Sequence, residues 1–140
     1  MLMCLPLYGS DNKEIRITYR QLFDAIREVE TGGHPNGGRD AVGDSNTSNG
    51  PFQIQRAYWI DATQHDKTIG GTYADVKNKA YAEKIMMSYW HRYGSKAPSA
   101  EELSRLHVGG PAGPRRKSSL PYWYRVRKVI IRNLNKSKDN

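Results

Sequence analysis

The chain has 140 residues and a formal net charge of +8, and 37% of its residues are hydrophobic. Its longest uncharged apolar run, about Met1–Tyr8, is too short to cross a bilayer or to form a complete signal peptide, so a membrane span is excluded. Cys4 is the single cysteine, which excludes a scaffold of intrachain disulfides.

The first predicted helix follows residues 1–16, which we expect to form an N-terminal extension. Thr18 and Gln21 match a capping box, and the glycines after Thr31 end the helix. At 100° per residue, five apolar residues form one stripe, and they are Leu22, Phe23, Ala25, Ile26 and Val29.

Two glutamates of this helix differ in their distance from the apolar stripe. Glu28 points to solvent, whereas Glu30 lies only about 70° from the centre of the stripe. We therefore expect Glu30 to be half-buried at the C-terminal end of the helix.

A glycine-rich loop follows, with six of the 13 glycines between Gly32 and Gly50. It predicts turns and a short irregular β-hairpin before the apolar–polar run Pro51–Gln55. Loops of this length inside a compact domain are usually functional or disordered.

Three further helices are predicted after this loop. Their ranges are Tyr73–Tyr93, Ala100–His107 and about Pro121–Asn135, and the first two have capping signals at Thr72 and Ser99. The predicted fold class is α+β, mainly α, with the small β-hairpin between the first two core helices.

The excess of positive charge lies at the C-terminal end. Met1–Gly113 holds 13 basic and 13 acidic residues, whereas Pro114–Asn140 holds nine basic residues and one acidic residue. This segment includes a basic amphipathic helix, Leu120–Lys136. It predicts either an anionic partner or a solvated helix face.

The placement of Glu30 is compatible with acid catalysis. Burial against apolar surface disfavours the charged form of a carboxyl, and a protonated carboxyl can donate to a leaving oxygen. A second, more solvated carboxylate such as Asp40 or Asp44 would stabilise a sugar cation, attack it or activate water. The alternative is a structural glutamate held by the backbone or by an arginine.

No metal or cofactor is expected. The four histidines lack the spacing of metal ligands, and no phosphate-binding glycine loop occurs. Tyr58 could stack on a sugar, although aromatic pairs in small helical domains usually belong to the core.

Several motifs together resemble the invertebrate-type lysozymes, in the same order from about Ala25 to Val126. They are Ala25–Gly33, Val42–Asp44, Asn49–Ile54, Tyr58–Asp61, Tyr89–Gly94, Leu106–Gly113 and Tyr122–Trp123. The Glu-Thr-Gly step and the later Gly-Pro-Phe-Gln-Ile are also similar to goose-type lysozymes and lytic transglycosylases.

The resemblance implies a single lysozyme-like domain over residues 1–140 that cleaves the β-1,4 bond between N-acetylmuramic acid and N-acetylglucosamine in bacterial peptidoglycan. The resemblance places Glu30 at the position of the family's catalytic acid. We expect substrate contacts from five further residues, which are Gln53, Tyr58, His107, Gly109 and Gly110.

The second carboxylate departs from the family pattern. Invertebrate-type sequences have an aspartate just before Val-Gly, where this chain has Ala41. Asp44 directly follows Val42-Gly43, similar to the goose-type placement, and is favoured, with Asp40 as the second choice.

The resemblance leaves three functions to compare, namely a hydrolase, a lytic transglycosylase and a non-catalytic module that binds the cell wall. Residues 114–140 are expected to bind an anionic wall polymer, and nucleic acid is not expected because no reader motif occurs. Secretion or delivery to the cell wall is favoured, while a cytoplasmic location stays open because the usual cysteines and a signal peptide are missing.

Overall fold

The computed structural model describes residues 4–44 and 46–138. Its chain divides into two compact units. The central unit is Glu30–Tyr93, and the terminal unit combines Met1–Val29 with Gly94–Asn140. Within the described residues, no helix has the length and hydropathy that a bilayer crossing requires.

The terminal unit begins with a β-hairpin that the sequence analysis did not predict. Strand β1, Cys4–Tyr8, pairs antiparallel with β2, Glu14–Thr18. Alternation along the strands buries Leu5, Leu7 and Ile17. Residues 4–8 and 14–16 of the expected extension are therefore part of the folded unit.

Helix α1 spans Tyr19–Thr31, and its predicted capping box is confirmed. The Thr18 backbone N–H donates to Gln21 Oε1 at 2.9 Å, and the Gln21 N–H donates to Thr18 Oγ1 at 3.1 Å. Four of the five stripe residues are buried, and they are Leu22, Phe23, Ala25 and Ile26.

The prediction for Glu28 is wrong, because this side chain is half-buried and paired. Its carboxylate accepts hydrogen bonds from the Arg132 guanidinium, which comes from a helix 104 residues later. A helical wheel of α1 alone contains no information about that partner.

The rest of the terminal unit comprises α4, Ala100–Gly109, and α5, Leu120–Lys138. Two short 3-10 turns, Gly113–Arg115 and Lys117–Ser119, connect them. Buried Arg105 of α4 bonds to this connection, since its Nε donates to Ser119 Oγ at 2.7 Å and its Nη2 to the Arg116 carbonyl at 2.9 Å.

The central unit contains a three-stranded antiparallel sheet in the order β3, β4, β5. The strands are Val42–Gly43, Ser48–Asn49 and Ile54–Gln55. A 3-10 turn over Pro35–Gly38 precedes them. The predicted small β element is confirmed, and so is the mainly helical fold class.

Two helices complete the central unit, α2 at Arg56–His65 and α3 at Lys79–Tyr93. Helix α2 was not predicted. The predicted helix Tyr73–Tyr93 is divided, because Tyr73–Lys77 forms a 3-10 turn and Asn78 is extended. Asn78 Oδ1 then accepts from the Tyr81 N–H at 2.9 Å and caps α3.

Candidate active site

Glu30 lies in the last turn of α1 and is half-buried, as predicted from the helical stripe. The adjacent Thr31 is buried, and its hydroxyl donates to the Pro51 carbonyl at 2.8 Å. Gly38 packs directly on Thr31, because a Cβ at Gly38 would lie 2.2 Å from Thr31 Oγ1. The end of α1 is therefore held by the loop that follows it.

The Glu30 carboxylate acts electrostatically on Tyr58, one ring of a buried tyrosine pair. Tyr58 stacks on Tyr89, with ring centroids 3.8 Å apart and planes 10° from parallel. Burial raises the pKa of Tyr58 well above its ordinary value, and the neighbouring charges of Tyr89 and Glu30 raise it further. Glu30 thus lies within electrostatic reach of the Tyr58 hydroxyl.

The tyrosine pair continues to a third ring and a carboxylate. Tyr89 and Tyr93 make an edge contact with centroids 4.9 Å apart, and the Tyr93 hydroxyl donates to Asp61 Oδ2 at 3.0 Å. Burial, followed by the charges of Asp61 and Tyr93, raises the pKa of Tyr89 to about 12. Tyr58 is only 9% exposed, so its expected contact with substrate stays a prediction.

The Gln53 side chain connects the residue before strand β3 to the residue after strand β4. Its Nε2 donates to the carbonyls of Ala41 at 3.0 Å and Gly50 at 2.9 Å. Gly43 leaves room for it, since a Cβ there would lie 2.4 Å from Gln53 Oε1. The Gln53 amide nitrogen is therefore bonded to the backbone at both ends of the hairpin β3–β4. Its contact with substrate stays a prediction.

Asp44 directly follows strand β3, with an exposed side chain and a backbone in the left-handed region, at φ 49°. Its Oδ2 accepts a hydrogen bond from buried Ser48 Oγ at 2.8 Å. Sequence reasoning missed Ser48 as a partner of Asp44. The signal was the hairpin itself, because pairing of Gly43 with Ser48 brings the two side chains to the same end of the strands.

Asp40 lies before β3 and is exposed, and the structure records no bond to its carboxylate within residues 4–44 and 46–138. Between the two aspartates, Ala41 is only 6% exposed. The position that holds aspartate in the family pattern therefore carries a buried methyl group here.

Three separate hydrogen bonds hold the loop that runs from the end of α1 to Pro51. Thr31 bonds to Pro51, the neighbouring Gly50 N–H donates to the Ala41 carbonyl at 3.0 Å, and Ser48 bonds to Asp44. The loop that follows half-buried Glu30 and carries exposed Asp44 is thus held by its own hydrogen bonds.

The remaining expected substrate residues belong to the terminal unit. His107 is 8% exposed, and its ring centroid lies 6.5 Å from that of Tyr122. Gly109 is exposed at the end of α4, and Gly110 follows it with φ 73°. These three residues share the C-terminal end of one helix, and their contacts with substrate stay predictions.

Residues 22–129 match the protein family described as Destabilase. The chain belongs to this family. The match covers most of the chain and includes Glu30, Asp40 and Asp44 as well as the expected substrate residues.

Similar proteins carry lysozyme names. The chain is 35% identical to Lysozyme 1 of Crassostrea virginica over 76% of its own length, and it spans 57% of that longer protein. It is 33% identical to an invertebrate-type lysozyme of Ruditapes philippinarum, covering 73% of this chain and 74% of that protein.

Solved structures agree with this family assignment. The crystal structure of Tapes japonica lysozyme superposes with a TM-score of 0.64 at 26% identity, over 79% of this chain and 89% of that one. Inhibitor-bound lysozyme from Meretrix lusoria gives a TM-score of 0.63 at 28% identity, over 79% and 88%. The resemblance to invertebrate-type lysozymes, the lysozyme-like fold and the expectation of a lysozyme-type enzyme are confirmed.

Proposed function

We propose that the chain hydrolyses bacterial peptidoglycan at the β-1,4 bond between N-acetylmuramic acid and N-acetylglucosamine. Its supporting observation is the hydrogen-bonded loop that follows half-buried Glu30 and carries exposed Asp44. Membership of a family whose similar members are named lysozymes agrees with it.

In the proposed reaction, Glu30 is the general acid. It donates its proton to the glycosidic oxygen as the bond from that oxygen to the muramic acid C1 breaks. The leaving N-acetylglucosamine thereby gains a neutral 4-hydroxyl group, and positive charge develops on the muramic acid ring.

Asp44 is the proposed second carboxylate. Its exposed side chain can reach water, and the Ser48 hydroxyl leaves Oδ1 available. Asp44 takes a proton from the attacking water as the water oxygen bonds to C1. Glycosidases with a general acid and a separate base follow this pattern, which inverts the configuration at C1.

Glu30→Gln tests the acid, with Glu28→Gln as its matched control two residues earlier on α1. General acid catalysis typically contributes a factor of about 100 or more, so we expect at least that loss for Glu30→Gln in release of reducing ends from purified walls. Glu28→Gln should keep activity within a few-fold. Circular dichroism melting checks that both variants fold, and a folded, active Glu30→Gln would refute the assignment.

Asp44→Asn and Asp40→Asn decide between the two aspartates. We expect Asp44→Asn to lose activity by about tenfold or more, because the asparagine cannot accept a proton from water. Asp40→Asn should stay near the wild type. The opposite ranking would assign the base to Asp40.

The products separate hydrolysis from the alternative, lytic transglycosylation by Glu30 alone. A buried alanine at the family's aspartate position is the observation that favours this alternative. Mass spectrometry should find intact reducing muramic acid ends. Anhydro ends, each lighter by one water, would show the transglycosylase reaction. If no product forms at all, the chain is a non-catalytic module that binds the cell wall.

A further inference from the structure

The exposed face of α5 carries a regular row of basic side chains. Arg125, Lys128, Arg132 and Lys136 are all exposed, and we call these four residues the cationic stripe. Steps of three and four residues place them on one helix face over about 16 Å.

Few carboxylates oppose this row. Gly113–Lys138 contains no Asp or Glu, and Arg132 pairs with Glu28. Within the ranges 4–44 and 46–138, the structure records no carboxylate within ion-pair distance of Arg125, Lys128 or Lys136. Three positive charges of the stripe are therefore not balanced by a described partner.

Further basic residues precede the helix. Arg115, Arg116 and Lys117 are exposed just before α5 begins, and the first turn of the helix contains no acidic residue. A helix N-terminus favours negative charge, so this arrangement opposes the helix dipole. These basic residues thus add to the positive potential at the N-terminus of α5, and they do not stabilise the helix.

The aromatic residues of α5 also restrict the choice of partner. Trp123, Val126 and Ile130 are buried within the unit, so the apolar face of α5 is already covered and cannot enter a lipid layer. Tyr124 is the large aromatic side chain exposed on α5, whereas binding of single-stranded nucleic acid generally uses several stacking rings.

At least one basic group of the stripe is restrained. The Arg125 guanidinium lies 5.7 Å from the centroid of the buried Tyr122 ring. A guanidinium that rests on a ring loses less conformational entropy on binding and matches the oxygens of a phosphate.

We propose that the cationic stripe binds a linear, non-aromatic phosphodiester polymer of the bacterial wall. This inference rests on the proposed function, because it assumes that the enzyme works on a wall that carries such a polymer. A flexible chain of regularly spaced phosphates can follow a straight row of basic groups along the helix. Binding increases the time the enzyme spends on its substrate and takes no part in bond cleavage.

The test compares two triple variants that remove the same charge. Arg125→Gln/Lys128→Gln/Lys136→Gln neutralises the three residues of the stripe other than Arg132, which pairs with Glu28. Lys67→Gln/Lys84→Gln/Lys96→Gln removes three exposed lysines elsewhere, so both variants fall from +8 to +5. Co-sedimentation measures binding to walls whose phosphodiester polymer is intact and to walls stripped of it by cold hydrofluoric acid.

We expect the wild type to bind intact walls at least tenfold tighter than stripped walls in low salt. The stripe variant should lose that tenfold, and its salt dependence should weaken by a slope of about two to three. The control variant should stay within threefold of the wild type.

Several outcomes would overturn the proposal. Equal losses of wall binding in both triple variants would show an effect of net charge alone. Equal binding to intact and stripped walls would exclude the phosphodiester polymer as the partner. Tighter binding to single-stranded DNA or to anionic vesicles at equal phosphate concentration would assign a different partner. Reducing-end release from stripped walls tests the proposed hydrolysis separately, and the stripe variant should retain it.

Discussion

The two units of this chain differ sharply in charge. The central unit has seven basic and seven acidic residues, whereas the terminal unit has 15 basic and seven acidic residues, a difference of +8. The central unit contains Glu30 and both candidate aspartates, and the terminal unit contains the cationic stripe. Residues proposed for bond cleavage and residues proposed for wall affinity can therefore be altered independently.

The units also use different interactions to hold their loops. In the central unit, glycines make room for close backbone approach, and stacked tyrosines fill the interior. In the terminal unit, a buried arginine ties the connection before α5 to α4. Substitutions at these points should show whether each unit depends on its own interactions.

The largest effect is expected from Gly50→Ala in the central unit. Gly50 has φ 82°, and an added Cβ would lie 2.4 Å from the Val76 carbonyl oxygen. Left-handed backbone and steric overlap together should lower the free energy of unfolding by about 3–5 kcal/mol. Urea denaturation measures this loss.

Gly70→Ala is the matched control, because its φ of 65° is similar and its Cβ would meet nothing within 4 Å. It should lose only the backbone contribution, about 1–2 kcal/mol. Hydrogen exchange of Gly50→Ala should show reduced protection first in residues 46–93. Equal losses of protection in both units would mean that they unfold as one.

A somewhat smaller effect is expected from Arg105→Met in the terminal unit. Arg105 is 9% exposed and donates to Ser119, to the Arg116 carbonyl and to Glu101 Oε2 at 2.7 Å. Removing the guanidinium deprives buried Ser119 Oγ and two less buried acceptors of their donor, which should lower the free energy of unfolding by roughly 2–4 kcal/mol.

Arg92→Met in the central unit provides the comparison for Arg105. Its guanidinium is exposed, although it donates to the Asp61 carbonyl at 2.8 Å. Exposed interactions of this kind typically contribute about 1 kcal/mol or less. If both substitutions have the same effect in urea denaturation, burial is not what makes Arg105 important.

The smallest effect is expected from Tyr89→Phe and appears only in alkali. The folded chain raises the pKa of Tyr89 to about 12, whereas an unfolded tyrosine titrates near 10. The unfolded state therefore loses its proton first. The contribution of the Tyr89 phenol to the free energy of unfolding is fully present below pH 10 and is lost as the pH rises through 12.

Urea midpoints between pH 9 and pH 12 measure this decline. Tyr89→Phe has no phenol at this site, so its midpoint should fall less over that interval. Tyr124→Phe, at an exposed position of the terminal unit, should decline like the wild type. An unchanged slope for Tyr89→Phe would contradict the role of burial at Tyr89.

Features fixed by neighbouring residues could be predicted from the sequence. The capping box at Thr18 was confirmed, and so was the half-buried position of Glu30. The hairpin β1–β2 was not predicted, although its signal is local, because Leu5 and Leu7 in one strand and Ile15 and Ile17 in the other stand at alternate positions.

Features that depend on distant parts of the chain could not be predicted. Glu28 is paired with a side chain 104 residues away. Helix α2 buries little more than Tyr58 and Ala62, so it has no broad apolar stripe to reveal it. The bond from Ser48 to Asp44 requires the register of the hairpin, which short glycine-rich strands specify weakly.

The pairing of Glu28 with Arg132 has a consequence for how the chain folds during synthesis. The central unit is a continuous stretch and is complete once Tyr93 has left the ribosome. The terminal unit combines two separated segments, so Glu28 of α1 obtains its partner only after Arg132 has emerged. Domains generally fold as they are synthesised, N-terminal parts first. Here that order is reversed in part, because one ion pair of α1 has to wait for a residue made 104 positions later.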